Sequence, residues 1–160
     1  MRPASATWSF RENISPSALS VALDGKYSAV GTPNGLIFLN SRGRLLWYNK
    51  KIRKIKDVSV STISGKIAVG SSQKVLYLVN LKGESLWHRE LDSSVLAVSI
   101  SSRGNLIAVG TEEGRLMLFD GKGKKKWEVH LSNSDFSVNS VDITSDGEFI
   151  LAGTDYSHLY

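Results

Sequence analysis

Three octets decide the fold: NSRGRLLW at Asn40–Trp47, NLKGESLW at Asn80–Trp87 and DGKGKKKW at Asp120–Trp127. Each places Gly three residues after an Asn or Asp, and Trp four residues after the Gly. The copies start 40 residues apart. Asn or Asp opens a tight turn through side-chain bonds to the backbone, and Gly accepts the positive φ such a turn needs. The octet therefore reads as a hairpin turn followed by an aromatic anchor, repeated at a fixed period.

Other landmarks keep step with it. The cluster AVGT at Ala29–Thr32 returns as AVGS at Ala68–Ser71, AVGT at Ala108–Thr111 and LAGT at Leu151–Thr154. A turn glycine precedes each: Gly25, Gly65, Gly104 and Gly147. A split apolar pair precedes that: Leu19/Val21, Val58/Val60, Val98/Ile100 and Val141/Ile143. Each period reads as four short strands. The first alternates, so one face is apolar. The third, as in LIFL at Leu36–Leu39 and VLYLV at Val75–Val79, is apolar throughout and so covered on both faces. The fourth is expected to begin at the Trp and turn polar. Lys74 stands where other copies carry Gly35 and Gly114, so a different loop is expected there. KKIRKIK at Lys50–Lys56 is too short and uncapped for a stable helix.

Units of this size cannot bury their apolar middle strands alone and must stack on neighbours. The expected fold is all-β: a β-propeller of four-stranded antiparallel blades, about four per chain. The expected division is an orphan outer strand at 7–13, blades at 14–56, 57–93 and 94–136, and three strands of a fourth blade at 137–160. Trp8, 39 residues before Trp47, marks the orphan strand, which would close the last blade. Closure within one chain makes a four-bladed ring; a head-to-tail homodimer makes an eight-bladed one. A piece of a longer propeller is a third arrangement.

Composition bounds the chemistry. The chain has 160 residues, 41% of them hydrophobic, and a net charge of +5. That permits an acidic partner without requiring one. With no cysteine, disulfides, thiolate metal sites and cysteine nucleophiles are excluded. MRPASATWSF has no apolar run of signal-peptide length, and no stretch approaches a membrane span. A cytoplasmic protein is the expectation.

These repeats resemble those of the quinoprotein-like β-propellers, in which an acidic or amide residue, a turn Gly and a Trp dock one blade on the next. The split apolar pair with AVGT also resembles WD-repeat propellers, although the Gly-His and Trp-Asp dipeptides are missing. The resemblance implies that Trp8, Trp47, Trp87 and Trp127, with Gly43, Gly83, Gly123, Asn40, Asn80 and Asp120, are structural docking residues. The vicinal cysteines and calcium ligands of the quinone enzymes are missing, so no cofactor is expected.

Candidate sites are therefore sought outside the repeat. Lys50, Lys51, Arg53, Lys54 and Lys56 form one basic run; Lys122, Lys124, Lys125 and Lys126 form another. In a blade they fall at opposite ends, and no nucleic-acid motif with stacking aromatics accompanies them. His88, His130 and His158 match no metal spacing. Of Asp135, Asp142, Asp146 and Asp155, Asp146 is turn chemistry like Asp24, whereas Asp142 stands where other repeats carry Ser20, Ser59 and Ser99, and facing a central channel to attract a cation or basic side chain is its lesser reading. Loops on a rigid scaffold are where binding resides. The expected function is non-enzymatic binding of another macromolecule, a protein, through Asn34, the Lys50–Lys56 run, Ser72–Lys74, Glu112, Glu113 and Ser132–Asp135. The alternatives are a quinone- or metal-dependent enzyme and a nucleic-acid binder.

Overall fold

The computed structural model describes residues 14–131 and 136–155. Trp8, the 7–13 segment, Ser132–Asp135 and His158 lie outside the described residues. Among the described residues every element is a strand, and no helix is long and apolar enough to cross a membrane. Sheet one runs β1 (Ala18–Val21), β2 (Tyr27–Thr32), β3 (Gly35–Asn40) and β4 (Leu45–Asn49). Sheet two runs β5 (Ile55–Val60), β6 (Ile67–Ser71), β7 (Val75–Val79) and β8 (Ser85–Glu90). Sheet three runs β9 (Val95–Ile100), β10 (Leu106–Thr111), β11 (Arg115–Asp120) and β12 (Lys125–His130). A hairpin of β13 (Val138–Ile143) and β14 (Ile150–Thr154) follows. All pairings are antiparallel between neighbours in sequence, as in propeller blades.

Trp does not begin the outer strand. Each outer strand starts two residues earlier, and Trp47, Trp87 and Trp127 pair across from Phe38, Leu78 and Leu118 beside a register shift. The extra residue of that bulge re-aims the strand. The octets close as side-chain-supported turns. Asn40 Oδ1 accepts from the N–H groups of Arg42 and Arg44, at 2.9 and 3.0 Å. Asn80 and Asp120 hold the same two positions.

The core lies between sheets rather than within them. Ala29, Leu36 and Phe38 of sheet one pack with Val58, Ile67 and Val69 of sheet two. Ala68, Leu76 and Leu78 of sheet two pack with Val98, Ile107 and Val109 of sheet three. At the rim, Trp47 Nε1 donates to Leu81 O at 2.8 Å and Trp87 Nε1 donates to Gly121 O at 3.1 Å. The indoles lie flat on the next turn: a Cβ on Gly83 would sit 2.9 Å from Trp47 Cδ2, and one on Gly123 2.8 Å from Trp87 Cδ2. Both glycines also have φ near +80°, so a side chain is excluded twice over.

A polar ladder joins the inner strands. Val60 N–H donates to Ser20 Oγ (3.0 Å), Ile100 N–H to Ser59 Oγ (3.2 Å) and Ile143 N–H to Ser99 Oγ (3.2 Å). Asp57 spans its junction with both oxygens, accepting from its neighbour Val58 N–H and from Val98 N–H of the next sheet, each at 2.8 Å. Burial pushes its carboxyl above the usual range, against the pull of those two N–H groups.

Two outcomes follow. Trp87→Ala should cost about 3 kcal/mol in urea unfolding, whereas Trp127→Ala, which removes an indole 39% exposed, should cost about 1 kcal/mol or less. Asp57→Ala should cost about 1–3 kcal/mol by orphaning two N–H groups. Because the folded pKa lies above the ordinary 3.8, the contribution of Asp57 is fullest below pH 3.8 and shrinks as pH rises through the folded value. The destabilisation should accordingly be larger at acid pH than at pH 7.

Candidate functional site between blades 1 and 2

Consecutive strands run antiparallel, so alternate loops fall at opposite ends of each sheet. Backbone bonds knit one face together. Lys54 N–H donates to Pro33 O at 2.8 Å, and Ser72 N–H donates to Lys54 O at 3.0 Å. Leu91 N–H donates to Lys74 O, Glu112 N–H to Ser94 O, and Leu131 N–H to Gly114 O. The loops carrying Asn34, Lys50–Lys54, Ser72–Lys74 and Glu112–Glu113 therefore share this face. The turns with Asp24, Asn40, Asn80, Asp120 and Asp146 lie at the other strand ends, and Lys122 and Lys124 go with them.

Within KKIRKIK, Ile52 and Ile55 are buried at the first inter-sheet core, while Lys50, Lys51, Arg53, Lys54 and Lys56 are exposed. The two isoleucines pin the loop, and the cations point outward because burying an unpaired charge is prohibitive. Lys74 keeps the loop of Gly114 but not that of Gly35, whose φ is not positive and whose N–H donates to the Thr32 hydroxyl. Lys74 takes φ 65°, next to φ 72° at Gly114, and both donate N–H to the residue three earlier at 3.2 Å. A non-glycine residue simply tolerates the left-handed backbone of the same turn.

A groove of about 700 Å³ lies on the rim between β4 and the β7–β8 hairpin. Its walls include Trp47, Tyr48, Tyr77 and His88, and Lys50, Lys51 and Lys82 stand around it. Lys50 Nζ lies 5.2 Å from the Tyr48 ring centre, within cation–π range. Tyr77 and His88 face each other at 6.0 Å, and burial raises the Tyr77 phenol. The one acid in the lining, Glu84, accepts from Asn80 Nδ2 at 2.8 Å. Among the described residues Lys50, Lys51 and Lys82 make no ion pair.

The equivalent groove between sheets two and three is smaller, about 430 Å³. One residue accounts for much of this. Asn49 Nδ2 donates to Gly83 O at 2.9 Å; in the next junction Arg89 Nε donates to Gly123 O at 2.8 Å and its guanidinium covers Trp87. The longer side chain fills the space that Asn49 leaves open.

Other expected residues disperse. Lys54 serves the loop backbone, and Asn34 tops the β2–β3 turn. Glu113 and Glu128, with Asp92, surround Arg115, so Glu113 is engaged internally. The Lys125 ammonium, more than Arg115, lowers the Glu128 carboxyl. His130 Nε2 meets Glu113 O at 2.7 Å. Among the described residues no three His, Cys, Asp or Glu side chains gather as a metal site. Asp142 is exposed and accepts from Ser99 Oγ and its neighbour Ile143 N–H; neither partner is a cation. Lys82 and Asn49 were hidden in the sequence, because nothing local links a turn of blade 2 to the end of an outer strand of blade 1.

No curated protein matches the chain. Residues 85–120 and 121–158 match the family described as WD domain, G-beta repeat. The first match runs from β8 through β11, one outer strand plus the inner three strands of the following sheet. The quinoprotein side of the resemblance gains no support from it. Over these residues the chain is WD-repeat-like, and its sheets are blades of the β-propeller kind.

Proposed function

We propose that this chain is a non-enzymatic propeller scaffold that holds a protein partner by an acidic segment in the groove between blades 1 and 2. Repeats of the matched family generally act as protein-interaction scaffolds. The observation carrying the finer reading is the groove itself: three lysines without ion pairs, set around aromatic walls, where a neighbouring junction is filled by Arg89. Carboxylates of a partner would meet the ammonium groups, and its apolar or aromatic side chains would lie on Trp47 and Tyr48. The same reading completes the scaffold by a second copy of the chain rather than by closure of one chain on itself.

Asn49→Arg separates groove binding from general attraction. Arginine here repeats the bond Arg89 makes to a turn carbonyl, so the fold should hold. The variant gains a positive charge yet should bind a fluorescein-labelled Glu/Tyr peptide at least about tenfold more weakly by anisotropy. Equal or tighter peptide binding would overturn the groove. Tighter binding of oligothymidylate than of peptide would overturn the protein-partner reading in favour of nucleic acid.

A further inference from the structure

The junctions obey one rule, which the described residues leave without a partner at the first and fourth sheets. A side chain on an inner strand accepts from the backbone N–H one position further along the next inner strand. Ser20 to Val60, Asp57 to Val98, Ser59 to Ile100 and Ser99 to Ile143 all follow it. In the fourth sheet Asp142 occupies the position of Ser20, Ser59 and Ser99. Its Oδ1 accepts from Ile143 N–H (2.9 Å) and Ser99 Oγ (3.0 Å), as Asp57 Oδ1 accepts from Val58 N–H. The other oxygen of Asp57 reaches the next sheet; that of Asp142 has no next sheet to reach among the described residues.

Blade 1 offers the matching donor. Ala22 N–H bonds Tyr27 O, and antiparallel pairs alternate, so Val21 N–H points out of its sheet. The same alternation exposes Val60 N–H to Ser20 in the next junction. Around this donor Leu19 and Val21 are 71% and 63% exposed, whereas their counterparts Val58 and Val60 are 3% and 8%.

Glycine marks a second contact. A Cβ on Gly31 would lie 2.5 Å from Ile55 Cγ2, one on Gly70 2.5 Å from Val95 Cγ1, and one on Gly110 2.7 Å from Val138 Cγ1. Each absent side chain makes room for the residue three before the first of the split apolar pair. Gly153 holds the same place in the fourth sheet, but the nearest atom to its Cβ would be Ser140 of its own hairpin, at 3.6 Å. The residue three before Leu19 is Pro16, which lines an open apolar hollow with Leu19 and Val21.

We infer that blade 1 of one copy docks on the fourth sheet of a second copy, with Asp142 of the second receiving Val21 N–H and Pro16 seated on Gly153. The inference rests on completion of the scaffold by a second copy. The chain's own fourth sheet does not serve, since Leu151 stays 52% exposed in the same chain that leaves Leu19 open. A two-fold axis makes the junction twice and leaves neither open side unused.

Light scattering on a sizing column gives the mass, and sedimentation gives the dissociation constant. The unaltered chain should run at twice 17.5 kDa. Gly153→Val, a residue that suits strands, should run at 17.5 kDa with the strand circular dichroism and cooperative unfolding of the parent. Asp142→Ala should weaken the dimer about tenfold. A monomeric parent would overturn both the second-copy reading and the inference. A dimer indifferent to Gly153→Val and Asp142→Ala would overturn the inference alone, placing the contact between copies elsewhere.

Discussion

An indole lies flat on a glycine turn of the following sheet and donates its N–H to a carbonyl there, at Trp47 on Gly83 and again at Trp87 on Gly123. The architecture depends on this contact because no blade is complete alone. The middle strands are apolar on both faces, and sheets two and three each bury one face on the sheet before and the other on the sheet after. The indole caps that seam at the rim, the Ser and Asp ladder closes it at the inner strands, and the apolar residues between are sealed from water. The glycine at the turn and the glycine in AVGT serve the same end, by letting two backbones approach where a Cβ would collide.

A repeated seam is also a repeated opportunity. The first two junctions have the same outline at the rim, and the small differences decide what each can hold. Between blades 2 and 3 an arginine spans from its strand to the turn carbonyl and covers the tryptophan. Between blades 1 and 2 the shorter Asn49 makes the equivalent bond and leaves a groove. Charge follows the same logic. Around Arg115 three carboxylates balance the cation, whereas the lysines by the first groove are unbalanced. Ile52 and Ile55 give Lys50 and Lys51 a rigid base, since the loop bearing them is anchored in the core.

Local chemistry carried far in this chain. The octet could be read as a turn because its bonds connect residues at most four apart: Asn40 to Arg44, Asn80 to Glu84, Asp120 to Lys124. Two local inferences failed for reasons that are not local. The outer strand begins before the Trp because pairing to the third strand extends past the bulge. Lys74 keeps the turn of Gly114 because bonds from Leu91 and to Ser71 hold the backbone in place. Asp142, the inner-strand residue that replaces a serine of the other repeats, meets Ser99 of the adjacent sheet, a contact that no local pattern encodes.

By itself the sequence determined the strands, their turns and the need for neighbours, because period-two apolar patterning and side-chain-to-backbone turns act over a few residues and repeat every 40. Only the tertiary structure decided which residues meet across a seam. It set Lys50 and Lys51 of one blade beside Lys82 and His88 of the next, left space at Asn49, and aligned Asp142 with a row of serines. Those neighbours are 31 to 43 residues apart along the chain, and their meeting depends on how far each sheet turns against the last, a quantity that no short stretch encodes.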